Sequence, residues 1–209
     1  MYQNSNDLQL SKQLLWLLRH GAQSEGFRIQ ADGFVCVADI LQHPRFAGKY
    51  NVAKLSELVE KDAKQRYTLR CNPATNELEI RANQGHSMEV VKTEACLARI
   101  ESMNELAGVS VVHGTYYKHW GAIQKEGLKR MTRNHIHFAL LPNDGAKVLS
   151  GFRSNCQLLI YLNVPQLLAD NIPLYRSSNN VILCEGLNGV ISSKYFKNVY
   201  DKRSGKCLS

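Results

Sequence analysis

The chain has 209 residues, 44 % of them hydrophobic, which allows one large or two small packed domains. Lys and Arg number 26 against 18 acidic residues, a formal charge of +8 with a pI near 9.2, and that balance suits a polyanionic partner. The six cysteines stand singly, without a C-x-x-C or Cys/His pair at zinc spacing, so reduced thiols and no structural zinc are expected.

The first ten residues are polar and lack the apolar core of a secretion signal or an Arg-rich presequence. No apolar run approaches the ~20 residues of a spanning helix, so a soluble cytoplasmic or nuclear protein with no membrane contact is expected. Asp7 is placed to cap a first helix that runs to about His20. Leu10, Leu14, Leu17 and Leu18 recur at i, i+4, i+7 and i+8, one face of that helix. Arg19 and His20 then fall off this stripe just before Gly21, a residue able to end the helix. Taken alone, the dipeptide needs no more explanation than the negative end of the helix dipole.

Gln30–Gly33 is a turn signal, followed by a short strand Phe34–Val37 and a short helix near Val37–Gln42. Asn51 caps a second long helix from Val52 to about Lys64, with Leu55, Leu58 and Val59 on one face and a Glu60/Lys64 pair. Arg66–Cys71 and Glu77–Ala82 flank a turn-rich Asn72–Asn76 and predict a hairpin. Helices followed by a two-stranded wing define a winged-helix-like lobe over 1–87, of a kind whose wing touches a nucleic-acid backbone. Residues 88–108 read as a connector. A second lobe over 109–209 opens with a strand Val109–His113 running into Gly114-Thr115, then a helix Tyr116–Glu126 stopped by Gly127. Further strands are expected at His135–Phe138, Gln157–Leu162, Ile172–Tyr175, Val181–Cys184 and Gly189–Ser192, with a short helix at Ala146–Ser150. Many short strands with no βαβ rhythm predict an α+β chain with a mainly antiparallel second half.

Anion-binding groups gather in Arg19-His20, in Lys64–Tyr67, in Arg81–Ser87 and in Lys129–His137. Each taken singly reads first as a solvated basic face, a surface loop or a hydrogen-bonded core histidine. No nucleophile-elbow serine, Walker loop, G-x-G-x-x-G or paired-carboxylate signature is present. An enzyme built from these parts would stabilise anions with guanidinium and imidazole groups.

The ordered set LLRHG, ADGFV, KQRY, IRANQGHS, HGT, RNHIHF, SGFRS and RSSNNVIL resembles the RNA (tRNA) 2′-phosphotransferase family, from about Leu10 to Phe196. The resemblance implies a winged-helix-like N-terminal lobe and a C-terminal lobe of the ADP-ribosyltransferase fold. It implies NAD as co-substrate, no metal, and an RNA with an internal 2′-phosphate at a tRNA splice junction. The implied reaction has two steps. The 2′-phosphate displaces nicotinamide from NAD, giving an RNA-2′-phospho-ADP-ribose intermediate. The ribose 2″-hydroxyl then attacks phosphorus, releasing 2′-OH RNA and ADP-ribose 1″,2″-cyclic phosphate. A phosphate dianion is already a nucleophile near neutral pH, so the first step needs positioning and no general base. The second crowds negative charge at phosphorus, where guanidinium donors count most.

By the same resemblance Arg19, His20, Arg66 and Arg133 form the catalytic tetrad, with the arginines clamping phosphate and His20 exchanging a proton. Arg81 ranks below them. His113, Gly114, Thr115, His137, Gly151, Arg153 and Ser154 are the expected NAD contacts. Gln84, Gly85, His86, Ser87, Asn134 and His135 are the expected substrate contacts. Glu185 is read as ordinary surface charge, and the basic tail of Lys202, Arg203 and Lys206 is unassigned. Phe138 stands where the family usually has leucine, which implies slightly different packing around NAD. A monomer is expected. Two other readings stay open: ADP-ribosylation of a terminal RNA or DNA phosphate, and an RNA-binding module without catalysis.

Overall fold

The computed structural model describes residues 5–143 and 151–208, so the helix expected at Ala146–Ser150 lies outside the described residues. The chain divides into two compact units, Met1–Cys96 and Leu97–Ser209.

In the first unit, helix α1 (Ser5–Trp16) continues into a π turn, Leu17–Gly21. Its leucine stripe is the core: Leu10, Leu14, Leu17 and Leu18 are all buried. Asp7 does not cap this helix. It lies inside the first turn, where its carboxylate pairs with Lys54 at 2.7 Å. A two-residue strand β1 (Val35–Cys36) precedes α2 (Val37–Gln42). The next helix, α3 (Val52–Glu60), begins as expected, with the Asn51 side chain accepting from the Lys54 amide at 2.7 Å. It stops at Glu60, short of Lys64, and the chain then turns over 61–65, where Gln65 adopts a left-handed φ of 49°. With Lys64 past the helix end, the expected pairing with Glu60 loses its helical spacing, and Glu57 instead pairs with Lys54 and Lys61.

The hairpin forms as read, from β2 (Tyr67–Cys71) and β3 (Leu78–Ala82), in register from Tyr67 opposite Ala82 to Cys71 opposite Leu78. Strand β1 pairs on the far side of β3, giving a sheet of order β1-β3-β2. Tyr67 fastens this sheet to α1 by donating to the Ser11 carbonyl at 2.8 Å. Past the hairpin, Met88 and Val91 enter the same core, and the unit closes with a one-turn helix α4 (Thr93–Cys96).

The second unit is built on an antiparallel sheet of seven strands: β4 (Ala98–Arg99), β5 (Val109–Thr115), β7 (Ile136–Pro142), β8 (Leu158–Leu162), β9 (Tyr175–Arg176), β10 (Val181–Cys184) and β12 (Phe196–Asp201). Their order is β12-β8-β5-β7-β10-β9-β4. A separate pair joins β6 (Leu128–Lys129) to β11 (Val190–Ile191). Helix α5 (Tyr117–Glu126) ends at Gly127, whose φ of 80° breaks the helical path. The short α6 (Val164–Ala169) is capped by the Asn163 side chain. Phe138, Ile160, Ile182 and Val199 face the larger core, against which Trp120 and Ile123 of α5 pack. The other face carries a smaller cluster of Tyr175, Val181 and Leu183.

One feature of this sheet positions the site. Val109–Val112 of β5 pair with β7, whereas Val112–Thr115 pair with β8. The ladder between β5 and β7 therefore ends at Val112 opposite Ala139, and the two strands part at His113. The mixed, mainly antiparallel class expected from the sequence is the one observed. Strands β4, β6 and β12 and helix α6 were not foreseen, and of the strand expected at Ile172–Tyr175 only Tyr175 is in one, β9, while Ile172 and Leu174 precede it as buried core residues.

Candidate active site

The first unit presents Arg19 and His20 on the π turn. One extra residue in a helical turn re-aims the side chains that follow, a device common at functional sites. The loop 83–87 is docked onto this turn: the Ser87 amide donates to the Arg19 carbonyl at 2.9 Å, and Ser87 Oγ lies 2.9 Å from His20 Nδ1. Gly85 makes the approach possible. Its φ is +91°, and a Cβ there would stand 3.1 Å from Arg19 Nε. His86 is buried and packs its Nε2 end against Gly33 of the A-D-G turn.

Arg66 reaches the same loop through Asn83. The Asn83 amide donates to the Arg66 carbonyl at 2.8 Å, and its side-chain amide donates to the carbonyls of Gln65 and Tyr67 at 2.7 and 3.1 Å. The guanidinium of Arg66 is held by Asp62, whose side chain is 2 % exposed. Nε lies 3.0 Å from Asp62 Oδ2, Nη2 lies 2.7 Å from Oδ1, and the Arg66 amide donates to Oδ2 at 2.7 Å. This side-on pairing engages Nε and Nη2 together. Neither Asp62 nor Asn83 was among the expected site residues. Asn83 sits within the quoted motif, whereas Asp62 reads in sequence as one more acid near the end of the expected helix. Arg81 belongs elsewhere: it lies over the Phe34 ring at 4.8 Å, with Arg70 at 3.6 Å, and donates to the Asp32 carbonyl. Burial lowers its pKa.

The second unit carries the remaining expected residues. Where β5 and β7 part, His113 Nδ1 lies 2.9 Å from the His137 carbonyl, bridging the two strands by side chain. A carbonyl can only accept, so Nδ1 carries the proton and Nε2 is the acceptor. Burial lowers the His113 pKa and holds the ring neutral, against the smaller upward pull of that hydrogen bond. Phe138 meets the same ring edge-on at 5.7 Å. Gly114 lies under the loop that begins at Gly151: a Cβ there would come 2.7 Å from Phe152 Cβ and 2.9 Å from Cys156 Sγ. Gly151, with φ +110°, rests on β7, since its own Cβ would meet Ala139 Cα at 2.4 Å. Thr115 is buried, and its carbonyl accepts from the Gln157 amide at 2.8 Å.

Arg133 closes a tight turn in which Met131 has φ +57° and Arg130 Nη1 donates to the Arg133 carbonyl at 2.7 Å. Its pKa is lowered, first by burial and then by the positive charge of Arg153. The two guanidiniums are thus close enough to repel, an arrangement that favours an anion near them. Asn134 is half-buried beside it. His135 is buried, and its Nε2 lies 3.6 Å from Glu185 Oε1, so Glu185 is exposed surface charge with a buried imidazole for a neighbour. Among the described residues no cluster of His, Cys, Asp and Glu could hold a metal ion. None of the described helices is long and apolar enough to cross a membrane.

The structure thus groups Arg19, His20, Gly85 and Ser87 with Arg66 in the first unit. In the second it groups His113 with His137, Gly114 with the Gly151 loop, and Arg133 with Arg153. The donors are guanidinium, imidazole, amide and hydroxyl, a set suited to an enzyme that handles a phosphoryl anion. The family model described as RNA 2′-phosphotransferase, Tpt1 / KptA family, matches residues 5–186. The chain is 41 % identical over 203 residues to tRNA 2′-phosphotransferase 1 of Homo sapiens, covering 96 % of this chain and 78 % of that protein. It is 40 % identical over 196 residues to the Danio rerio protein of the same name, covering 93 % and 85 %. To tRNA 2′-phosphotransferase of Saccharomyces cerevisiae it is 30 % identical over 191 residues, covering 90 % and 82 %. The chain belongs to the RNA 2′-phosphotransferase family and is a phosphotransferase enzyme.

Proposed function

We propose that this chain removes the internal 2′-phosphate of spliced tRNA by transferring it to NAD, in the two-step reaction set out above. Within the first unit, helices α1, α2 and α3 and a three-stranded sheet with its hairpin support reading 1–87 as a winged-helix-like lobe that engages RNA phosphates. The antiparallel sheet that splits at His113 supports reading 109–209 as an ADP-ribosyltransferase-like lobe that holds NAD. One chain supplies every donor the reading needs, which supports action as a monomer.

The donor chemistry of the second unit fits NAD. A neutral His113 with its proton fixed on Nδ1 offers Nε2 as an acceptor for a ribose hydroxyl. Arg153, beside Arg133, offers charge to a diphosphate, and the Phe152 side chain seats the Gly151–Ser154 loop against Gly114. Bound NAD supplies an electrophilic ribosyl carbon with nicotinamide as its leaving group. The work of the protein is then positional. Arg19, Arg66 and Arg133 orient the 2′-phosphate and neutralise charge that builds at phosphorus. His20, anchored at Nδ1 by Ser87, exchanges a proton through Nε2.

The observation that carries this reading is the docking of the 83–87 loop on the Arg19-His20 turn, which a glycine with positive φ alone permits at that distance. The test is an oligonucleotide with one internal 2′-phosphate, incubated with pure protein and NAD. Dephosphorylated RNA, nicotinamide and a cyclic phosphate product are expected. Nicotinamide release no faster than with 2′-OH RNA would overturn the proposal. An ADP-ribosylated end with the internal phosphate intact would establish terminal modification in its place.

A further inference from the structure

The basic tail after β12 has no assigned role, and the match to the family model ends at residue 186, before it. In the structure this tail folds back on the sheet edge. Asp201 organises the turn: its carboxylate accepts from the Arg203 and Ser204 amides at 3.1 and 2.6 Å, and from Tyr117 Oη at 2.7 Å. The Leu208 amide returns to the Val199 carbonyl at 2.8 Å. The turn sets Lys202 beside the Gly151 loop. Its amide donates to the Gln157 carbonyl at 2.8 Å, its Nζ donates to the Ser154 carbonyl, and the ammonium lies 5.8 Å from the centre of the Phe152 ring.

Phe152 is the side chain packed on Gly114, next to His113. Beside the tail turn lies a cleft of about 450 Å³ lined by Tyr117, Cys156, Gln157, Asp201, Lys202 and Arg203. We infer that Lys202 is a positioning residue: the tail turn uses it as a strap that holds Gly151–Ser154 against β5, in the conformation that receives NAD. This rests on the proposed role of that loop in binding NAD. Without the strap the loop samples other conformations, and affinity falls in proportion to the time spent out of place.

Lys202→Met tests this, since it keeps the length of an exposed side chain and removes the donor and the charge. Hydrogen exchange of a peptide covering 151–157 reads the loop in the NAD-free protein. Calorimetry reads NAD affinity, and a 2′-phosphorylated oligonucleotide reads RNA affinity. The expected result is faster exchange in that peptide, NAD binding weaker by about tenfold, unchanged RNA binding, and recovery of both losses in Lys202→Arg. Unchanged exchange in Lys202→Met overturns the strap, whatever happens to NAD. Faster exchange with unchanged NAD affinity overturns the positioning role and removes the Gly151 loop from the NAD site. A wild-type protein that binds no NAD sinks the functional reading, while the exchange comparison still judges whether Lys202 holds the loop.

Discussion

Replacing Asp62 by Asn asks whether Arg66 works because it is present or because it is held. Asp62 is nearly inaccessible, and its two oxygens receive Nε, Nη2 and the backbone amide of Arg66. Asn keeps the volume and one acceptor for the amide, but it removes the charge and replaces the second acceptor with a donor facing a guanidinium. Breaking a buried pair by removing one partner costs about 3–5 kcal/mol, because the other charge is left uncompensated. The Arg66 side chain is 23 % exposed, so solvent recovers part of that, and a loss of about 2 kcal/mol is expected. For a chain of this size that lowers the thermal midpoint by roughly 5 °C. Turnover should fall by about ten- to a hundredfold, since a clamp displaced by about 1 Å loses that much. The decisive comparison is a double-mutant cycle with Arg66→Ala. If Asp62 acts through Arg66, removing it from the Arg66→Ala protein should cost almost nothing further in kcat. Additive losses, or a destabilised Asp62→Asn protein with wild-type kcat, would refute the view that this carboxylate aims the guanidinium.

Other predictions follow from the same geometry. Arg133→Ala should lower turnover by at least two orders of magnitude, about 3–4 kcal/mol of lost charge stabilisation, with the fold intact by circular dichroism; near-normal turnover would remove Arg133 from the tetrad. Gly114→Ala places a methyl 2.7 Å from Phe152 Cβ, so the Gly151 loop must shift. NAD affinity should fall by about tenfold while RNA affinity holds, and an unchanged NAD isotherm would contradict the packing. Burial keeps the His113 pKa below its ordinary 6.5, so on acidification the unfolded chain takes up the proton first. Stability should therefore decline as pH falls below about 6.5, until the folded-state pKa is passed. His113→Asn should flatten that part of the decline in thermal midpoints, and parallel curves for the two proteins would contradict it.

The helices and central strands were legible because their patterns are long enough to have a period. The leucine stripe of α1, the capped start of α3, the hairpin and the strand Val109–Thr115 all announce themselves this way. Strands β4 and β6 have two residues each and no period to read. In β12 the register shifts between Phe196 and Asn198, which breaks the alternation that would mark a strand. Helix α6 has six residues with a proline in its first turn, and it reads as a loop. The missed cap at Asp7 has the same kind of cause: its partner Lys54 lies on another helix, and no local pattern reports a pairing made only by tertiary structure.

The site divides along the same line. The motifs carry the family resemblance, and through it Arg19, His20, Arg66 and Arg133 could be singled out before any fold was known. What holds them carries no chemical signature of its own. Asp62 looks like a surface acid, Asn83 like one more polar loop residue, and Phe152 like filler, yet Asp62 holds the Arg66 guanidinium, Asn83 ties down the Gln65 carbonyl, and Phe152 packs on Gly114. His113 shows why orientation matters as much as identity. In water its imidazole would be partly protonated near neutral pH and could present either nitrogen. Set in the gap where β5 leaves β7, it is neutral and turned with Nδ1 to the His137 carbonyl. The proposed function sets cations against a phosphate and a neutral acceptor against a sugar, and in a chain of net charge +8 composition does not separate the two. Here the separation is made by the backbone: a split in the sheet sets the neutral imidazole, and a glycine in the 83–87 loop seats that loop against the cationic turn.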